Sequence, residues 1–104
     1  MRFELSPRAA IDVDHIAEYY FRHSIDTGTR FYDAISITLE ALTEFPHVGR
    51  VRLFDDPSLT NIRSWPVDGF PSILLLYQIR EELLWVVRVL HASRDIEADL
   101  TAPI

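Results

Sequence analysis

Arg88, His91 and Arg94 follow one another at intervals of three residues near the end of the chain, and Arg63 stands earlier in a stretch rich in apolar residues. A histidine can give and take a proton near neutral pH. A guanidinium stays charged and offers phosphate oxygens a planar fork of donors. In-line cleavage of a phosphodiester needs a group to activate the 2′-hydroxyl, a group to protonate the leaving oxygen, and cations for the developing charge. His91 is the candidate acid or base for that chemistry, and Arg63, Arg88 and Arg94 are the candidate clamps.

Other constellations carry less. Asp12, His15 and Glu18 lie three apart and could mimic a metal-binding face, but this pattern is far more often the solvated side of a helix. No phosphate loop and no nucleophile elbow occurs. No metal and no cofactor is expected.

The charge balance weighs against a nucleic-acid grip. The net charge is −6 and the pI is near 5.0, whereas phosphate neutralisation supplies most of the affinity of a nucleic-acid binder. All 10 basic residues are arginine. The missing lysines exclude a lysine base or Schiff base, and a compositional bias explains them better than a function does. Direct binding to nucleic acid is not expected. Cysteine is absent, so disulfides and thiolate zinc sites are excluded. No signal region or span-length apolar run occurs, and a cytoplasmic location is expected without a membrane role.

A chain of 104 residues is read as one domain, 1–104, with room for one core. Arg2 to Leu5 alternates as a short strand. Ser6 and Pro7 suit the cap and first position of a helix to about His23, with Ile16, Tyr19, Tyr20 and Ile11 or Val13 as its apolar side. Phe31, Ile35, Leu39 and Leu42 mark a second helix, widened by Ala34, Thr38 and Phe45, which Pro46 ends. The short link, with Ser24 as a connection or a capped start, makes the pair an antiparallel hairpin. Arg50 to Thr60 is irregular, anchored by Leu53, Phe54 and Leu59. Asn61 to Val67 reads as an edge-like strand because of Pro66. Ser72–Ile79 and Leu83–Leu90, joined by Arg80-Glu81-Glu82, read as two buried antiparallel strands. The tail after Ser93 forms a helical turn capped by Ser93 or Asp95. The expected fold is α+β: an N-terminal strand and a helical hairpin laid on an antiparallel sheet of about four strands, with a short C-terminal helical turn.

Strict alternation along the last strand places Trp85, Val87 and Val89 on the helices. Leu84, Val86, Arg88 and Leu90 then share the other face. A buried arginine needs a partner. Either a bound chain covers that face, as a helix or an added strand, or the Arg50–Thr60 stretch does.

These residues carry a family likeness. Leu5-Ser6-Pro7, Glu44-Phe45-Pro46-x-x-Gly49, Ile62-Arg63-x-Trp65-Pro66-Val67-x-Gly69-Phe70-Pro71, Leu75-Leu76-Tyr77 and Arg88-Val89-Leu90-His91-x-x-Arg94-Asp95-Ile96 resemble the plasmid-stabilisation toxins of the RelE/ParE superfamily over essentially the whole chain. The resemblance implies the toxin of a bacterial type II toxin–antitoxin system, held in a hetero-oligomer by a small DNA-binding antitoxin. RelE-like members cut mRNA on the ribosome, and ParE-like members are described as inhibitors of DNA gyrase. RelE-like toxins use lysines, arginines and a late aromatic or histidine. Here lysine is absent, Leu74 stands where an arginine would be, Leu100 stands near the place of a late tyrosine, and Arg94 matches the one retained arginine. The likeness is therefore closer to the ParE branch, which acts by binding proteins rather than by catalysis. Arg63, Trp65, Phe70, Arg88 and Arg94 are the expected contacts to target or antitoxin. Packing is the competing role for Trp65 and Phe70, and pairing with a carboxylate such as Asp68 or Asp95 is the competing role for Arg63 and Arg94. The alternatives are a ribosome-dependent endonuclease using Arg63, His91 and Arg94, and a toxin fold that keeps only antitoxin binding.

Overall fold

A computed structural model describes residues 1–102. Strand β1 (Arg2–Leu5) leads into α1 (Pro7–His23) and α2 (Ile25–Glu44). Strands β2 (Arg50–Val51), β3 (Arg63–Val67), β4 (Phe70–Arg80) and β5 (Leu83–His91) follow, and α3 (Ile96–Thr101) closes the chain. The sheet has five strands in the order β1-β5-β4-β3-β2. It is mixed, because β1 runs parallel to β5 while the other pairs are antiparallel.

Local chemistry sets the helix ends. The Ser6 hydroxyl accepts from the Ala9 N–H and Pro7 opens α1. Ser24 closes α1 and caps α2 at once, so the expected connection is a shared cap. Phe31, Ala34, Ile35, Thr38, Leu39 and Leu42 form the buried stripe of α2, as their spacing predicts. Phe45, expected to widen that stripe, is exposed, because the helix ends before it. On α1 the buried face is Ala9, Asp12, Val13 and Ala17. Ile11 and Tyr19 point to solvent, and an acid stands where polar exposure was expected.

The sheet carries an apolar cluster on each face. Towards the helices lie Val67, Ile73, Leu75, Tyr77, Leu84, Val86 and Val89, with Trp65 and Phe70 packed against them. On the other face Ile62, Leu76, Leu90 and Ile96 are joined by Phe54, Leu59, Leu74 and Leu100. The expected face assignment of β5 is therefore wrong in part. Leu76 pairs with Arg88 but Tyr77 pairs with Val86, so Val87 is an extra residue on β5. A bulge of this kind breaks the two-residue period. It sends Val86 and Val89 to the same face and leaves Arg88 beside Leu76 and Leu90. The second face is covered by α3 and the 50–60 stretch. Glu97 joins the two covers, accepting from the Asp55 and Asp56 N–H groups at 3.0 and 3.2 Å.

The outer strand is β2, not β3. Pro66 is nevertheless free of conflict, because β2 pairs only with Arg63 and Ser64. Gly69, at φ +77°, makes the tight β3–β4 turn. The adjacent Asp68 N–H is held by the Thr38 hydroxyl at 2.9 Å.

Candidate functional site

A groove of about 550 Å³ opens between α1 and the adjoining ends of β4 and β5. Helix α1 supplies His15, Ile16, Tyr19 and Tyr20, which share one side because they recur at helical spacing. The sheet supplies Ser72, Ile73 and His91. Ile73 lies directly opposite His91 in the β4–β5 register, which fixes where the imidazole stands. The Ser93 N–H donates to His91 Nδ1 at 3.1 Å. A backbone N–H can only donate, so Nδ1 accepts and the proton of the neutral ring sits on Nε2.

The aromatic wall is built from within. Tyr20 packs on Phe70 at 5.0 Å and on Phe31 at 5.4 Å between ring centroids. Tyr19 lies at the edge of Tyr20 and packs on His23 at 4.8 Å. Desolvation raises the Tyr20 phenol above its ordinary pKa, so it stays neutral. Further along α1 a second cleft shares His15, Ile16 and His91 and adds Arg8, Asp12, Arg88 and Arg94.

Arg88 is a strut rather than an open anchor. Its Nε and Nη2 donate to the two Asp12 oxygens at 2.7 and 2.9 Å, and Nη1 donates to the Asp99 carbonyl at 2.7 Å. Asp12 also accepts from the Val89 N–H at 3.0 Å. One guanidinium thus ties α1, β5 and α3 together, and the Asp12 hydrogen bonds raise its pKa further. The expectation that this side chain meets a partner directly is corrected: Arg88 is buried by its own chain.

The remaining sequence candidates separate. Arg63 Nη1 donates to the carbonyls of His47 and Gly49 at 3.0 and 2.9 Å, not to a carboxylate. Arg94 pairs with Asp99 at 3.0 Å and stays largely exposed. Trp65 and Phe70 are packing residues of the helix-side cluster. Arg63 pairs with Tyr77, and His91 with Ile73, four residues away on β4. That separation is about 13 Å along the strand. Arg63 therefore does not join His91 and Arg94 in one centre. Leu74 and Leu100 lie in the apolar cluster under α3.

The residues that sequence reasoning missed are Asp12, His15 and Tyr19. By spacing alone Asp12 and His15 read as a solvated side, and Tyr19 as part of the helix's apolar side. Asp12 is committed to Arg88, and Glu18, the third member of the suggested metal face, pairs with Arg22.

An α-hairpin on a five-stranded mixed sheet, closed below by a short helix, makes this a small α+β domain. The family model described as ParE toxin of type II toxin-antitoxin system, parDE, matches residues 3–96, and the chain belongs to that family. In fold it is similar to a chain of a chromosomal ParDE TA system from P. aeruginosa, with a TM-score of 0.58 and 16% identity over 88% of this chain and 95% of that one. No curated protein sequence matches the chain. No helix among the described residues is long and apolar enough to cross a membrane.

Proposed function

We propose that this toxin acts in the cytoplasm by binding proteins, that its target is DNA gyrase, and that a small DNA-binding antitoxin neutralises it by occupying the α1 groove. The observation that carries the reading is the contrast between the sheet's two sides. Leu74 and Leu100, which replace the arginine and tyrosine of the RelE-like pattern, are packed in an apolar cluster that α3 closes. Arg88, the cation beside this cluster, is spent on Asp12 and the Asp99 carbonyl and is not free to stabilise a phosphorane. The α1 groove is open, apolar at its base through Ile16 and Ile73, and edged by exposed aromatic and ionisable groups. Such a trough suits an amphipathic helix with one buried apolar edge. Tyr19 in the groove and Arg94 in the adjoining cleft are of the types that anchor interfaces.

The test is a supercoiling assay with purified chain and gyrase. Loss of supercoiling at stoichiometric amounts, reversed by the product of an adjacent antitoxin reading frame, is expected. Unimpeded supercoiling at excess toxin removes the gyrase target. Cut mRNA in translating ribosomes, abolished by His91→Ala, would replace the whole reading with endonuclease action.

A further inference from the structure

The far edge of the sheet carries a second surface that neither the groove nor the toxin reading uses. Strand β2 pairs with β3 on one side only. The Arg52 N–H donates inward to the Ile62 carbonyl at 2.8 Å. With Arg50 opposite Ser64 and Val51 opposite Arg63, antiparallel alternation turns the Val51 N–H and C=O outward, away from β3. On and just after β2 the chain exposes Val51 and Leu53, the latter at 92%, and in the turn before it Phe45 and Val48. Clefts of about 260 and 290 Å³ flank it, and Val51 and Asn61 line both. An unpaired edge with pockets beside it is how a sheet accepts an extra strand.

Charge selects the occupant. Arg50 and Arg52 have no carboxylate within ion-pair distance among the described residues, although the chain is acidic overall. Being two apart, they share the face of Ser64, and Arg52 Nη1 reaches its hydroxyl at 3.5 Å. Asp55 and Asp56 are engaged elsewhere: their N–H groups go to Glu97 and the Asp56 carboxylate is held by Ser58. A second copy paired antiparallel about Val51 would set Arg50 opposite the other copy's Arg52, and like charges directly opposite repel. We infer that the β2 edge receives an extended acidic segment of another polypeptide, with carboxylates at alternate positions over Arg50 and Arg52 and apolar side chains on the Val51 face.

The probe is an acetylated peptide of alternating valine and glutamate, with a valine–lysine peptide as control, titrated into ¹⁵N-labelled chain. Amide shifts confined to residues 48–53 are expected with the glutamate peptide only. Val51→Pro removes the outward N–H and leaves the inward bonds of Arg50 and Arg52 intact, so it should abolish binding. The exposed pair R50E/R52E should weaken it by about tenfold or more and admit the lysine peptide. Binding that both variants leave unchanged, equal binding of the two peptides, or no shifts at all would overturn the inference. A concentration-dependent dimer through this edge, seen by sedimentation, would also overturn it by assigning the edge to a second copy.

Discussion

Arg88 and Asp12 form a two-pronged ion pair at 2.7 and 2.9 Å, each side chain only 10% exposed, across 76 residues of chain. Low dielectric makes an unpaired member of such a pair costly. Arg88→Met strands a buried carboxylate, and Asp12→Leu strands a buried guanidinium. Each is expected to cost about 3–5 kcal/mol. The double variant should cost less than the sum, because neither charge remains to be stranded. Denaturant unfolding of the four proteins measures this. Loss of toxicity in Arg88→Met should therefore track loss of fold.

Tyr77 organises the turn after α2. Its hydroxyl donates to the Pro46 carbonyl at 2.7 Å and accepts from the Gly49 N–H at 3.0 Å. Tyr77→Phe leaves both backbone groups without that partner, and a loss of about 1–3 kcal/mol is expected in thermal or denaturant unfolding. Gly49→Ala should be worse tolerated, because a Cβ there would run into the Tyr77 hydroxyl and ring. The pair in combination should recover part of the loss, since phenylalanine lacks the oxygen nearest the new methyl.

Stability should fall on the alkaline side. Burial raises the Tyr77 phenol, and the Tyr32 phenol is raised by its hydrogen bond to Asp14. A raised folded-state pKa means the neutral phenol is favoured by folding. That contribution is complete below the unfolded value of about 10 and is lost as pH rises through the folded values. Unfolding free energies measured from pH 8 to 11 should hold steady and then decline beyond about pH 10. Tyr77→Phe should flatten the decline.

What the sequence conceals is local irregularity. The helix caps at Ser6 and Ser24, the stripe from Phe31 to Leu42 and the two long strands follow directly from residue type and spacing. The parallel placement of β1 does not, because a four-residue strand says nothing of its neighbour. The extra residue at Val87 is equally silent, since its cause is the register with β4. That one residue turned Leu84 and Val86 to the helix face, while Arg88 kept its place beside Leu90 and is buried by Asp12 and α3. Asp12 was hidden for the related reason that a carboxylate on a buried face makes sense only once its cation is known. The 50–60 stretch, weighed as a cover for the second face, takes that place through Phe54 and Leu59, while Leu53 is solvent-exposed.

Arg63 and Arg94 invite a comparison that separates fold from contact. Arg63 holds two carbonyls of the turn that Tyr77 also holds, so Arg63→Ala should lower stability along with any activity. Arg94 is 60% exposed in its pair with Asp99, whose side chain is 17% exposed, and a pair open to solvent on the cation's side contributes about 1 kcal/mol. Arg94→Ala is therefore expected to melt close to the parent protein. If Arg94 contacts the target or antitoxin from the cleft adjoining the α1 groove, growth arrest or antitoxin affinity should drop by about tenfold or more at nearly unchanged stability. Wild-type growth arrest and wild-type antitoxin affinity in a folded Arg94→Ala protein would remove this residue from both interfaces.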